Sequence, residues 1–210
     1  MLVRDFAVVY NLYCKIALGG NLMSISLRSV VEDCPVIAAI KDENGLKRCL
    51  ETDIGVVFVL YGDICNIADI IHLLKVNGKT VMVHIDLITG LSSKEIAVDY
   101  IRERTNADGI ISTKPMLIKR AKELGLYTIQ RFFVLDSLAL ENISKQAETR
   151  YTDLIEILPG VMPKIIRRIC DMISIPVIAG GLISDKDDVI SALDAGAIAV
   201  STTRQEIWEL

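Results

Sequence analysis

The chain has 210 residues, a formal charge of −4 at pH 7 and a pI near 5.3; 51% of it is apolar but only 5% aromatic. An acidic balance gives no global attraction to nucleic acid or anionic lipid, so either partner would need a local basic patch, and no run of roughly 18 apolar residues offers a membrane span. Cys14, Cys34, Cys49, Cys65 and Cys170 form an odd set without C-x-x-C spacing and with only 2 histidines beside them, which argues against a disulfide framework or a zinc centre and fits a reducing cytoplasm.

Met1 to Val31 reads as an N-terminal extension ahead of a domain spanning residues 32–210. Phe6 to Leu18 is apolar, yet Asn11, Tyr13, Cys14 and Lys15 interrupt it, which makes a poor secretory signal. Because Met23 lies shortly before the first convincing strand, residues 1–22 can be an upstream extension, a helix closing a barrel floor, or a product of start-site choice.

From Pro35 onward, short β-branched runs alternate with helical stretches, the pattern of repeated βα units. Strands are predicted at Pro35 to Ile40, Gly55 to Leu60, Thr80 to Asp86, Gly109 to Ser112, Tyr127 to Phe133, Leu154 to Leu158, Pro176 to Ala179 and Ala197 to Ser201. Each is continuous in apolar residues, as expected when helices or core cover both faces. Inward helical stripes are predicted at Ile67, Ile70, Ile71 and Leu74; at Ile96, Tyr100 and Ile101; at Leu117, Ile118, Ala121 and Leu124; at Ile165, Ile166 and Ile169; and at Val189, Ile190 and Leu193. Gly78, Gly125 and Gly196 then stand where a helix C-terminus favours a left-handed residue. Since no glycine fingerprint follows Ile40, the repeats favour a single (β/α)8 barrel over an open doubly wound sheet.

In such a barrel, polar residues at the C-terminal strand ends face the ligand. Gly180 and Gly181, followed by Ser201 and Thr202 and a short terminal helix near Arg204, resemble a phosphate cradle of main-chain N–H groups and hydroxyls; the bland alternative is that the glycines only turn the chain. His84 and Asp86, expected on one face of one strand, can serve as base and orienter or as hydrogen-bond partners of a polyol, or His84 can be a satisfied core histidine. Lys114, Gln130, Arg131 and Glu156 complete the candidate polyol site, with Glu156 expected opposite Lys114 or Arg131. No nucleophile motif, Walker loop or metal-ligand cluster accompanies them, so neither catalytic residues nor a cofactor are expected. Basic residues cluster at Lys119, Arg120 and Lys122, a candidate nucleic-acid contact, and at Lys164, Arg167 and Arg168; solvation is the ordinary fate of both, and no aromatic residue is interleaved.

The run from Asp108-Gly109-Ile110-Ile111-Ser112-Thr113-Lys114 through Ile129-Gln130-Arg131-Phe132-Phe133-Val134-Leu135-Asp136-Ser137 resembles the glycerol-3-phosphate-responsive antiterminators of bacteria. His84-Ile85-Asp86-Leu87, Glu156-Ile157-Leu158-Pro159-Gly160 and Pro176-Val177-Ile178-Ala179-Gly180-Gly181-Leu182-Ile183 extend the likeness over roughly Cys34 to Trp208. The resemblance implies a regulator that binds glycerol 3-phosphate and acts on the mRNA leader of glycerol-catabolism operons to prevent premature termination; it leaves association into homo-oligomers open. The competing expectation is a barrel isomerase or lyase acting on a small phosphorylated metabolite, because the fold alone hosts many reactions.

Overall fold

The computed structural model describes residues 27–147 and 149–209, and in it eight parallel strands pair in chain order until the last meets the first. They are β1 (Val36–Ile40), β2 (Val56–Val59), β3 (Thr80–His84), β4 (Gly109–Ser112), β5 (Tyr127–Phe133), β6 (Leu154–Leu158), β7 (Val177–Gly180) and β8 (Ala199–Thr202). The helices are α1 (Leu27–Glu32), α2 (Glu43–Leu50), α3 (Ile67–Val76), α4 (Ile96–Arg104), α5 (Pro115–Glu123), α6 (Ser137–Ala147), α7 (Pro163–Met172) and α8 (Lys186–Asp194). The (β/α)8 expectation holds, and three strands, β4, β5 and β6, have the predicted bounds.

Closure explains why the strands are apolar on both faces. Successive side chains alternate, so Ile37, Phe58, Met82, Ile111, Ile129 and Ile178 fill the barrel interior while Val57, Val83, Ile110, Ile155 and Val200 pack outward against the helices. Leu27 and Val31 of α1 join the interior cluster from the floor, so α1 straddles the expected boundary at residue 31; residues 1–26 lie outside the described residues. Truncating a fully buried side chain such as Phe58 costs about 3–5 kcal/mol.

Local signals start and stop the helices. Asp42 and Asp185 cap α2 and α8 by accepting from Gly45 N and Asp188 N, and α5 and α7 open on Pro115 and Pro163, whose missing N–H is no loss there. Gly78, Gly125 and Gly196 take positive φ at helix ends, as predicted. Two predicted stripe residues are corrected. Ile96 is 67% exposed and Ile190 45% exposed, because the helical wheel that buries Ala97, Val98 and Ile101 turns Ile96 to solvent, and the one that buries Val189 and Ala192 does the same to Ile190.

At the floor the same clasp occurs twice. Asp108, just before β4, accepts from Val81 N at 2.8 Å while its own N–H donates to Val81 O, and Lys75 Nζ of α3 lies 2.6 Å from the carboxylate. Asp153, just before β6, accepts from Thr128 N at 3.0 Å, donates to Thr128 O, and holds Lys122 Nζ of α5 at 2.5 Å. Each clasp ties a helix to the start of two adjacent strands. Among the described residues no helix is long and apolar enough to cross a membrane.

Candidate functional site

At the opposite end, the strands deliver polar side chains inward. Alternation from Met82, Ile129, Leu154, Ile178 and Ala199 puts His84, Arg131, Glu156, Gly180 and Ser201 on the interior side of the mouth. The register sets Arg131 beside Glu156 and Gly180 beside Ser201. Glu156, fully buried, accepts from Arg131 Nε at 2.6 Å and from Ser201 Oγ at 2.6 Å. Its partner is thus Arg131 rather than Lys114. A β-carbon at Gly180 would fall 2.5 Å from Ser201 Oγ and 2.6 Å from Glu156 Oε1, so only glycine admits this network.

The anion nearest Gly180 and Ser201 is therefore the protein's own carboxylate. The main chain beyond it is differently engaged. Gly181 has φ 74° and Leu182, 73% exposed, is held at φ 64°, a left-handed conformation that disfavours a leucine. Gly160 N donates to Gly181 O at 3.0 Å, laying the β6 loop on the β7 loop. Thr202 is turned outward: its hydroxyl donates to Ile183 O at 2.9 Å and accepts from Arg204 N at 3.1 Å. The short terminal helix expected near Arg204 is a single 3-10 turn, Gln205–Ile207, too short for a substantial dipole.

One buried polar atom at the mouth lacks a protein partner, and one buried cation is only partly engaged. His84 is 3% exposed and its Nδ1 makes no hydrogen bond. Burial first, then the positive charge of Arg131, depress its pKa to about 4 against a smaller opposing effect of Asp86, so the imidazole is neutral at physiological pH. The guanidinium of Arg131 makes one hydrogen bond among the described residues, through Nε, leaving its terminal NH2 groups unused.

The expected strand partnership of His84 and Asp86 is corrected: β3 ends at His84, and Asp86 sits in a 3-10 turn, Ile85–Leu87, that carries it across to β4. There it accepts from Ser112 Oγ, Thr113 N and Thr113 Oγ1 and pairs with Lys114 Nζ at 3.1 Å. Burial alone would raise its pKa, but the Thr113 N–H, the Lys114 ammonium and the Ser112 hydroxyl together hold it below the ordinary carboxylate value. Lys114 also donates to Ser93 Oγ at 2.7 Å; Ser93 lies in the β3–α4 loop, where no local pattern distinguishes it. The structure does not bring Gln130 into this group. Being next to Arg131 on β5, it points outward, where it accepts from Thr152 Oγ1 at 3.2 Å.

Lys119, Arg120 and Lys122 are all committed to carboxylates: Arg120 to Asp99 at 2.5 Å and Glu123 at 3.4 Å, Lys122 to Asp153, and Lys119 to Glu123 at 4.0 Å. An aromatic neighbour that sequence spacing had hidden does exist, since Lys119 Nζ sits 5.7 Å from the centre of the Tyr151 ring. Among the described residues no group of three His, Cys, Asp or Glu side chains could hold a metal ion.

Comparison with known proteins finds relatives that span almost the whole barrel. The model of the glycerol-3-phosphate responsive antiterminator family matches residues 36–208. The Escherichia coli K12 protein YgcP, described as uncharacterized, is 43% identical over 176 residues, covering 84% of this chain and 92% of that one. The crystal structure of the glycerol uptake operon antiterminator regulatory protein from Listeria monocytogenes superposes with a TM-score of 0.79 at 30% identity, over 91% of this chain and 98% of that one. A related protein from Thermotoga maritima gives 0.73 at 35% identity, over 84% and 99%. Barrel enzymes such as the orotidine 5′-phosphate decarboxylase of Pyrococcus horikoshii, at 21% identity, share the fold alone.

Proposed function

We propose that this chain, which belongs to the glycerol-3-phosphate responsive antiterminator family, is a sensor that binds glycerol 3-phosphate at the barrel mouth and acts on the mRNA leader of glycerol-catabolism operons. The observation that carries this reading is a buried, unsatisfied His84 Nδ1 on the same inner face of the mouth as Arg131, whose terminal NH2 groups are left over from its pair with Glu156, with the Asp86–Lys114 pair on the adjoining loops. A buried polar atom without a partner costs about 1–3 kcal/mol, which a ligand hydroxyl or phosphate oxygen relieves on binding.

In this reading the phosphate lies against the main chain of Gly180 and Gly181 and the ends of β8 at Ser201 and Thr202, within reach of the Arg131 guanidinium. Because Glu156 already occupies the depth of the cradle, the phosphate sits above it, toward solvent. The glycerol hydroxyls meet neutral His84 and the carboxylates of Asp86 and Glu156, with Lys114 holding Asp86 in place. An acid kept below its ordinary pKa, as Asp86 is, makes a poor proton donor at neutral pH, which suits recognition better than turnover. Regulation requires the ligand to favour the RNA-competent state over the other, and the loops that the ligand touches are the elements to reorder.

The test is calorimetric titration of the full chain with glycerol 3-phosphate, with glycerol and inorganic phosphate as controls and analysis of the ligand afterwards. Saturable binding of the phosphorylated polyol with the ligand recovered intact is expected. Consumption of the ligand would establish a barrel enzyme instead, and absence of binding would remove the sensor reading.

A further inference from the structure

The two basic helices differ in what their cations already hold. On α5, Lys119, Arg120 and Lys122 face Asp99, Glu123 and Asp153, so three cations meet three carboxylates. On α7, Lys164, Arg167 and Arg168 are all exposed, and none pairs with a carboxylate among the described residues. They recur at i, i+3 and i+4 and so share one helix face, with Asp171 the only acid on it. The opposite face is locked, since Ile166 and Ile169 are fully buried, and Arg167 Nη2 is steadied by Asp194 O at 3.2 Å.

A polyphosphate gains most from cations whose only counter-charges are salt ions, because it releases those ions on binding and displaces no carboxylate. The outer face of α7 meets that condition and α5 does not. Position adds a second argument. α7 is fed by the loop after β6, the strand of Glu156, and that loop rests on the glycines of the ligand site: Gly160 N donates to Gly181 O, and a β-carbon at Gly160 would come within 3.0 Å of Gly180 N. Main chain moved by a ligand at Gly181 is main chain that positions α7.

We infer that the outer face of α7, through Lys164, Arg167 and Arg168, is the surface that grips the phosphate backbone of RNA, in place of the α5 cluster. This rests on the reading of the chain as an RNA-acting regulator. Contacts of this kind set register and affinity rather than sequence choice.

The experiment is fluorescence anisotropy of a labelled transcript of the host's own glycerol-operon leader with the full chain and saturating glycerol 3-phosphate, at several KCl concentrations. K164E/R167E/R168E is expected to weaken binding by on the order of thirtyfold and to lower the salt slope by about 2. K164Q/R167Q/R168Q should give a smaller loss in the same direction, and both should keep wild-type affinity for glycerol 3-phosphate by calorimetry, which shows that the barrel is folded. R102E/R104E/K145E changes as many exposed cations elsewhere and should shift RNA affinity less than threefold. If the α7 variants bind as tightly as wild type, or the control loses as much as they do, the surface assignment falls while the RNA reading stands; if the wild-type chain does not bind the transcript, both fall.

Discussion

The floor and the mouth of this barrel are built from the same acid–base pairs put to different ends. At the floor, Asp108 and Asp153 each take a lysine and a main-chain N–H of the preceding strand, so the charges are absorbed into the strand ladder. At the mouth, Asp86 and Glu156 take Lys114 and Arg131, but their remaining partners are hydroxyls and loop N–H groups, His84 Nδ1 beside them stays unsatisfied, and Arg131 uses only its Nε. The difference separates scaffold from candidate site: an ion pair saturated by backbone holds the fold together, whereas one beside an unsatisfied buried atom leaves a hydrogen bond for a third partner to make.

The sharpest way to break that comparison is Arg131→Ala. Its pair with Glu156 is buried on both sides, so an uncompensated carboxylate remains and stability measured by urea unfolding should fall by about 3–5 kcal/mol, with the ligand titration signal lost. Replacing both residues with methionine should recover most of the stability and none of the binding; recovery of both would mean that the pair is scaffold like those at the floor.

Next in size is a pH effect. The folded pKa of His84, about 4, lies below its ordinary 6.5, so the unfolded chain takes up the proton first as pH falls. Its contribution is complete above pH 6.5, is lost progressively between 6.5 and 4, and amounts to on the order of 3 kcal/mol. His84→Gln should flatten unfolding free energy across that window, and an unchanged profile would show that the imidazole is not buried neutral.

At the floor, Asp153→Ala should lower stability by about 1–3 kcal/mol, because Thr128 N–H and Lys122 lose their partner, yet leave glycerol 3-phosphate affinity within about twofold. A large change in affinity would erase the distinction between the two ends. The smallest effect is at Leu182, where a glycine relieves the positive φ of an exposed side chain: a gain of about 0.5 kcal/mol in thermal unfolding is expected, and a loss would show that Leu182 packs against something at the rim.

Much of this molecule is legible in one dimension. The alternation of apolar runs and helical stripes, the glycines at helix ends and the polar residues at strand termini are local patterns, and they led to the barrel and to most of the mouth. Gln130 and Arg131 show where local pattern stops: they are neighbours on a strand whose two faces are both buried, so hydrophobicity cannot say which one looks inward. Asp86 shows it again, since a continued strand and a 3-10 turn are equally compatible with His84-Ile85-Asp86-Leu87. The basic residues of α5 looked available only because their carboxylates, Asp99 and Asp153, stand on other elements.

The sequence by itself therefore determined the repeat, the class of fold and the end of the barrel where polar side chains gather, because hydrophobic periodicity and strand-end polarity are carried by residues close along the chain. Only the tertiary structure decided which side chains meet there and which cations stay unpaired. Those outcomes depend on how strands close on one another: Ser201 reaches Glu156, and Asp153 reaches Lys122, only after the barrel has brought distant segments into register.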